Sequence, residues 1–496
     1  MISTIELENF KCVSGRTRID LAPLTLLFGA NNAGKSTILQ ALLYLLEVLQ
    51  RGHADVDRTE LGGDHLDLGG FARLVHGHDL TRTLAVRVTF DTPASLNCFG
   101  RDLGSFPFPN LDNLDDELEA AWIEARVRWF DAPGGGAPYV SELLIGTPDV
   151  PEDPIVRLWI DRVPREGDPL RATIDLKHPA LACEPEAKAE LIEGLRAEEG
   201  ADVLDVAVSR GTRTSLVPSL DEPIRLVFLD ALERSQAVAW TTHLLEMLVL
   251  GTARQLVRAL SEAIYVGPLR TIPSRGFLSE RSARLTRWAD GLAAWDTLLA
   301  DRNGLVRDTN NWLQRLGAGC KVVVQELFDP TASAEAISGA HGEATFRRLM
   351  LDVGPRLAVH PCEGGVGLSQ LVPVVVAALE GSRRGLVMMA QPELHLHPGL
   401  QVGLGDLFIE ASRGRQLIVE THSEHLLLRL LRRIRETTEK DLPEGAPAFT
   451  IDGLSVLYVE TGEEGMQVRK LRVDPSGDFQ DEWPHGFFEE RAKEIF

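Results

Sequence analysis

The chain has no run of roughly 18 or more apolar residues, so nothing in it reads as a membrane-spanning helix. The start, Met1-Ile2-Ser3-Thr4-Ile5-Glu6, lacks a basic stretch followed by an apolar one, and no signal peptide is expected. Cysteines are few and scattered (Cys12, Cys98, Cys183, Cys320 and Cys362), with no CxxC pair. That pattern excludes a zinc-ribbon or disulfide framework and fits a reducing cytoplasm. Positive charge is also short: 51 Lys and Arg against 73 Asp and Glu leave a net charge of −22. Such a chain repels a phosphate backbone on average, so contact with DNA would need a local basic patch or a partner. Sustained heptads are missing, which excludes a long coiled-coil arm. Internal repeats and low-complexity tracts are missing too.

What is present is a chain of 496 residues with 44% hydrophobic content, enough for about two to four domains or one large domain with insertions. Ile2 to Phe10 alternates as a half-buried strand does, and Leu24 to Phe28 is a short apolar run that reads as a buried strand. Ser36 to Leu49 is apolar and long enough for a buried helix. From about Leu84 to Arg171, the runs LAVRVTF, WIEARVRWF, YVSELLIG and IVRLWIDRV are separated by Pro, Gly and Asp, and predict antiparallel strands. Pro107 to Glu119 is acidic and predicts a surface loop. Glu184 to Ala207 and Ala231 to Ile264 predict helices. From Arg348, α/β text returns: LMLDV, GLVMM and RQLIVE predict strands, and Ser369–Leu379, Gln401–Ser412 and His425–Arg435 predict helices.

Four motifs carry chemistry. Gly29-Ala30-Asn31-Asn32-Ala33-Gly34-Lys35-Ser36 matches GxxxxGK[ST] at every fixed position, between a strand and a helix. Its glycines let the backbone wrap a triphosphate, and its amides form an anion nest at a helix N-terminus. Lys35 is expected to reach the β and γ phosphates and Ser36 to hold Mg²⁺. The second motif, Gly364-Gly365-Val366-Gly367-Leu368-Ser369-Gln370, is a glycine turn opening a helix. It suits the γ-phosphate of a nucleotide held by another subunit, and equally suits a plain helix cap. In the third, the apolar run Leu386 to Met389 leads into Ala390-Gln391-Pro392-Glu393-Leu394-His395-Leu396-His397-Pro398. A P-loop ATPase keeps its Mg²⁺ carboxylate and catalytic base at such a place; His395 and His397 also fit the His-x-His pattern of zinc sites. The fourth, Gln416 to Ser423, ends in His422 just past a strand, where a γ-phosphate sensor or a structural histidine would sit.

In this order, the motifs resemble the layout of ABC-type ATPase heads, and closely resemble the AAA-15/AAA-21 group related to SMC, RecF and OLD-family proteins. ISTIELENFKCVSGRTRIDLAPLTLLFGANNAGKSTILQALL carries the likeness at the start, and ETHSEHLLLRL later. Tyr265-Val266-Gly267-Pro268-Leu269-Arg270 matches a further element. Trp483-Pro484-His485-Gly486-Phe487-Phe488-Glu489-Glu490 resembles the subfamily with the C-terminal domain of unknown function 3696. The likeness covers residues 1–90 and 260–496.

The resemblance implies an α/β P-loop NTPase fold: an ABC-type head with a mixed-sheet lobe, a helical lobe and an α+β insertion. Residues 1–90 and 265–440 would form the head, 91–264 the insertion and 441–496 the subfamily segment. It implies ATP and Mg²⁺ as ligands, with Gly29 to Ser36 and Thr37 around the nucleotide. Gly367, Leu368, Ser369 and Gln370 would serve a partner's ATP in trans. Gln391, Glu393 and His422 would be catalytic, and the LHLH turn through Pro398 would cross a dimer interface. These families usually end that strand with an acidic residue, and the subfamily tends to read E-Q-P-E-L-H-L-H-P; here Ala390 takes the first position, and Gln391 follows where the wider families carry a glutamate. A methyl group cannot coordinate Mg²⁺ or orient water. Three readings of Ala390 follow: a substitution made to trap ATP, a natural slow or inactive ATPase that uses ATP as a switch, or Glu393 taking over.

The implied function is an ATP-gated homodimer or higher oligomer that controls a separate effector in antiphage or foreign-DNA defence. Residues 423–496 are too few for a Toprim nuclease. A RecF-like DNA-repair ATPase would use Arg429, Arg432, Arg433 and Arg435 on one helix, which also read as a solvated face. A structural module glued by nucleotide is the third reading. No membrane contact is expected.

Overall fold

The computed structural model describes residues 1–52, 54–56, 68–92, 96, 119–131, 135–160, 168–181, 185–195, 200–209, 216–227, 236–277, 285–300, 304–327, 346–354, 357–380, 385–463 and 465–484. The expected acidic loop at 107–118 and the motif residues 485–490 lie outside these. Strands in chain order are β1 (Ile2–Glu8), β2 (Thr17–Asp20), β3 (Leu24–Gly29), β4 (Leu84–Asp91), β5 (Ala120–Phe130), β6 (Ala137–Gly146), β7 (Val156–Trp159), β8 (Leu170–Asp175), β9 (Val203–Val208), β10 (Ile264–Val266), β11 (Lys321–Leu327), β12 (Phe346–Gly354), β13 (Leu357–Val359), β14 (Leu386–Ala390), β15 (Gln416–Glu420), β16 (Leu454–Gly462) and β17 (Gly465–Leu471). Helices are α1 (Lys35–Arg51), α2 (Phe71–Leu74), α3 (Pro185–Gly194), α4 (Gln236–Leu245), α5 (Thr252–Ser261), α6 (Leu285–Ala289), α7 (Leu292–Ala300), α8 (Leu305–Leu316), α9 (Val366–Leu379), α10 (Pro398–Ser412) and α11 (Glu424–Glu439). This is an α/β P-loop NTPase fold with mixed sheets and helices. Among the described residues, no helix is long and apolar enough to cross a membrane.

The chain forms two compact units. The first comprises Met1–Leu21, Asn31–Ser261 and Glu460–Val468. Its sheet runs β2-β1-β4-β5-β6-β7-β8-β9, with each neighbouring pair antiparallel. The alternating runs from Leu84 onward thus pair as their patterning predicts. Helix α1 packs on α5 and β4, and its burial on nearly all sides explains its Leu- and Ala-rich text.

The helix expected over Glu184–Ala207 is corrected: among the described residues α3 forms at its start and β9 at its end. VLDVAV alternates and is β-branched, and β9 pairs with β8 from Val203↔Asp175 to Val208↔Leu170. The Ala231–Ile264 reading holds from Gln236 to Ser261, while Ile264 opens β10.

The second unit comprises Ala22–Ala30, Glu262–Val459 and Arg469–Phe496. Its main sheet runs β10-β14-β15-β3-β16-β17. The pairs β10–β14, β14–β15, β15–β3 and β3–β16 are parallel. Strands β3, β14 and β15 are buried at every residue, as strands of a covered parallel sheet must be. The carboxyl ends of β3, β10, β14 and β15 therefore share one edge, where open α/β sheets bind ligands. A smaller antiparallel sheet, β11-β12-β13, packs into the same core. Trp483 of the C-terminal motif meets Phe28, Tyr458 and Phe479 edge-on, at ring separations of 5.4, 6.2 and 5.1 Å, backing the strand that leads into the phosphate loop.

In the first unit one buried ion cluster ties the β1–β2 connection to β4 and β5. Glu124 is fully buried and binds Arg87 at 2.7 Å, Arg16 at 2.7 Å and Arg126 at 2.6 Å. Burial alone would raise the Glu124 pKa, but the three guanidinium groups outweigh it and hold the carboxyl at about 2, against 4.5 ordinarily. A depressed folded pKa means that the stabilisation is complete above pH 4.5 and is lost as pH falls toward about 2. Urea melts should therefore show stability falling through that window. Glu124→Gln should remove the acid dependence and cost about 3 kcal/mol at neutral pH; an unchanged urea midpoint would refute the cluster's role.

Candidate functional site

The phosphate loop begins where β3 stops. At Gly29, with φ 144°, a Cβ would lie 2.0 Å from the Val459 carbonyl oxygen of β16, so only glycine lets the two backbones pass. Asn32 (φ 63°) and Gly34 (φ 102°) are also left-handed, which turns the chain back into α1. A Cβ at Gly34 would meet Cys12 Sγ at 2.4 Å and Met466 Sδ at 2.7 Å. Cys12 Sγ also lies 3.4 Å from Thr37 Oγ1, and the Met466 amide donates to the Cys12 carbonyl. Gly34 caps α1 without a side-chain hydrogen bond, and no acidic residue stands in the first turn. A helix N-terminus carries partial positive charge, which favours an anion. Ala30, Asn31 and Asn32 are exposed, whereas Ala33, Lys35 and Thr37 are buried.

A cavity of about 480 Å³ in the first unit is walled by Lys11, Cys12, Leu68, Gly69, Arg73, Val75, Gly77 and His78. Cys12 thus faces both this cavity and the start of α1. The cavity has the size of a small-ligand site. Sequence motifs do not reveal it, because its walls come from two segments some sixty residues apart.

In the second unit, the edge carrying Ala390, Gln391 and His422 is organised by Arg270. Only 5% exposed, its Nη2 donates to the Ala390 carbonyl at 3.0 Å and the Gln391 carbonyl at 2.9 Å. Its own backbone is gripped by the Gln370 side chain, whose Nε2 donates to the Arg270 carbonyl at 2.6 Å and whose Oε1 accepts from the Arg270 amide at 3.3 Å. Burial pushes the guanidinium pKa down to about 10, opposed by the charge of Glu393. Arg270 lies in an element that the sequence singled out only by resemblance. The latch itself needs partners 100 to 121 residues away.

The latched turn is strained: Gln391 has φ 46° and His395 φ 63°. The Gln391 amide donates to the Glu420 carbonyl at 2.7 Å. Glu393 turns inward, and its Oε1 accepts from the His422 amide at 2.7 Å. Its Oε2 is buried, with no hydrogen-bond partner within 3.5 Å among the described residues and the Thr421 hydroxyl nearby. Burial pushes the Glu393 pKa up, against the hydrogen bonds and the Arg270 charge that pull it down. Glu393 and His422 are thus brought together; the side chain of residue 390 is only a methyl.

The Ser369 hydroxyl is fully buried and donates to the Pro361 carbonyl at 2.7 Å, and Gln370 is bound to Arg270. Both side chains are thus engaged inside the unit. Gly367 packs where a Cβ would be 2.6 Å from the His395 carbonyl, and Leu368 packs against the core. Gly365 and Val366 are what the start of α9 exposes.

The zinc reading finds no support in the third motif. His397 Nδ1 accepts from the Gly399 amide as the N-cap of α10, and among the described residues no group of three His, Cys, Asp or Glu is placed to hold a metal ion. Mg²⁺ needs less from the protein, since it keeps several waters and takes one or two protein ligands beside phosphate oxygens. The basic helix α11 is not an open patch: Arg429 and Arg433 pair with Asp406, and Arg432 and Arg433 with Glu436.

Residues 1–70 match the AAA ATPase domain family. Residues 365–429 match the family described as "AAA domain, putative AbiEii toxin, Type IV TA system". ATPase-type sequence thus lies on both sides of the long middle segment. No curated protein matches the chain. Among solved structures, an Smc head bound to the C-winged helix domain of ScpA shares 12% identity over 95% of this chain and 98% of that one, with a TM-score of 0.40. The SMC head domain from Thermotoga maritima shares 9% over 95% and 99%, with a TM-score of 0.37. An Smc head domain with an extended coiled coil, bound to the C-terminal domain of ScpA derived from Pyrococcus furiosus, shares 12% over 100% and 98%, with a TM-score of 0.40.

Replacing Arg270 by Met keeps bulk but strands two buried carbonyls. Arg270→Met should cost about 3 kcal/mol in urea unfolding, and Arg270→Lys should recover only part, because one ammonium cannot reproduce the fork. A wild-type midpoint for the Met variant would show that the latch is dispensable.

Proposed function

We propose that the chain is an ABC-type ATPase head that binds ATP and Mg²⁺, dimerises around ATP and thereby controls a separate effector, in defence against phage or foreign DNA. The observation that carries the ATP reading is the phosphate loop: two glycines that tolerate no side chain, at Gly29 and Gly34, deliver the chain into an uncapped helix N-terminus. In this reading the amides from Gly29 to Thr37 cradle the phosphates, Lys35 binds the β and γ phosphates, and Ser36 binds Mg²⁺. Bound Mg²⁺ neutralises charge that develops on the phosphates. The cavity beside Cys12 takes the nucleoside.

Glu393 is the base. Its free, buried oxygen and raised pKa suit it to take a proton from water as that water attacks the γ-phosphorus and the bond to the β–γ bridging oxygen breaks. Gln391 orients the water, and His422 contacts the γ-phosphate. Gly367 and Leu368 open α9, where backbone amides rather than the Ser369 hydroxyl would meet a partner's phosphate.

The head is proposed as residues 1–90 and 265–440, with 91–264 inserted and 441–496 as the subfamily segment with the domain of unknown function 3696. The toxin–antitoxin wording of the matched family supports an effector-linked role, and the ScpA complexes of the Smc heads are the parallel for a protein partner. A DNA-repair role is less favoured, because the net charge is −22 and Arg429, Arg432 and Arg433 of α11 are paired.

Phosphate release and light-scattering mass, with and without ATP, test this. Wild type should turn ATP over and double its mass with ATP, and Lys35→Ala should do neither. Glu393→Gln should lose about 100-fold in rate yet still dimerise. The wild-type rate should fall on acidification at a pH above the ordinary glutamate value of 4.5, because the base must be ionised and its pKa is raised. Hydrolysis by Lys35→Ala equal to wild type would sink the reading; so would a flat acid limb for the base.

A further inference from the structure

The cavity beside Cys12 carries charge of the sign that the chain as a whole lacks. The net charge is −22, yet among the described residues the cavity wall holds Lys11, Arg73 and His78 and no carboxylate. The whole wall belongs to the first unit. Backbone pairing fixes it. The Lys11 amide donates to the Leu74 carbonyl at 2.6 Å and the His76 amide to the Asn9 carbonyl at 3.0 Å, while His76 Nδ1 lies 2.9 Å from the Lys11 carbonyl. Residues 9–12 and 74–78 are thus tied together before any ligand arrives.

Each basic group has its own anchorage. Lys11 Nζ donates to Gln40 Oε1 of α1 at 2.6 Å, which holds its charge beside that helix. Gly69 has φ 80°, and a Cβ there would lie 2.7 Å from Arg73 Cδ, so the bare backbone of Gly69 gives the Arg73 stem its place. His78 stands in the left-handed region, at φ 58°. The neighbouring acid does not neutralise this wall: Asp79 accepts from the Thr81 amide and hydroxyl and from Arg82 Nε. Arg73 and His78 are both exposed, and among the described residues neither the Arg73 guanidinium nor the His78 ring has a hydrogen-bond or ion-pair partner. A cleft lined by one sign of charge concentrates ions of the other sign. A nucleoside is uncharged, so a wall of this kind offers more than a nucleoside alone can use.

We propose that this cavity binds a phosphate group, with Arg73 as the fork that grips it and Lys11 and His78 as further donors. A guanidinium matches phosphate oxygens two at a time, which an isolated ammonium cannot do. The inference rests on the nucleotide reading above only for what carries the phosphate: the ribose of a nucleoside seated in the cavity, or free inorganic phosphate.

Calorimetry on the full chain carrying Lys35→Ala, which removes the lysine of the phosphate loop, reads the cavity by itself. Inorganic phosphate, adenosine and adenosine 3′-phosphate are titrated at one fixed ionic strength, because exposed charges are screened by salt. At least one of the two phosphate ligands should bind saturably. Adding Arg73→Met should weaken that binding by about tenfold or more, and Arg73→Lys should recover only part of it. Adenosine 3′-phosphate binding more tightly than both phosphate and adenosine identifies a nucleoside phosphate as the ligand; adenosine 3′-phosphate no tighter than phosphate identifies the free anion. Should Arg73→Met not fold, His78→Ala decides, with a severalfold loss expected. No saturable binding of either phosphate ligand, or an affinity that neither Arg73→Met nor His78→Ala changes, overturns the anion site; ATP binding by the wild-type chain would still uphold the nucleotide reading. A wild-type chain that binds no ATP, beside a Lys35→Ala chain that holds phosphate through Arg73, overturns that reading and keeps the anion site.

Discussion

The close passage of the backbone at Gly29 beneath the Val459 carbonyl is the constraint on which the site depends. With 2.0 Å from a would-be Cβ to that oxygen, the end of β3 can sit against β16 only if the residue there has no side chain. That contact sets where β3 stops, and so where the chain turns into Asn31, Asn32 and the α1 N-terminus. Gly34 repeats the condition in the first unit, where Cys12 and Met466 fill the space a side chain would take. Each glycine of the proposed phosphate loop is thus fixed within its own unit, Gly29 by a backbone oxygen and Gly34 by a positive φ beside two sulfur atoms.

Around this loop, the second unit is built to hold one edge of a parallel sheet in a fixed shape. Arg270 gives up ion pairing to bind two carbonyls of the Ala390–Gln391 turn, and Gln370 grips it in return. A buried guanidinium held by carbonyls is costly, and its lowered pKa reflects that. What the arrangement achieves is a strained turn that points Glu393 inward, onto the His422 amide, with one oxygen left over. Loop and turn are both cases of backbone geometry fixed by groups that do no chemistry themselves.

Much of this was legible in the residues. The proposed phosphate loop stands in a contiguous motif because phosphate binding would need consecutive amides. The buried strands show as apolar runs at Leu24, Leu386 and Gln416 because both faces of a parallel sheet are covered. Elsewhere local text misled. Glu184 to Ala207 is rich in Glu and Ala and reads as helix, yet VLDVAV obeys its partner β8 instead. The ties of Ser369 to Pro361 and of Gln370 to Arg270, 100 residues away, are not visible in local text. The cavity beside Cys12 joins segments at 11–12 and 68–78. Such features depend on pairing across the chain, which local pattern does not carry.

The central claim is that this loop is a nucleoside triphosphate site. Equilibrium binding of ATP to the full-length chain, measured by isothermal titration calorimetry beside the Lys35→Ala variant at matched thermal stability, tests it most directly. The account predicts saturable binding to wild type and a loss of affinity of about tenfold or more in the variant, as expected for removing a charge-assisted contact to phosphate. Equal heats for the two chains, or none for either, would contradict it.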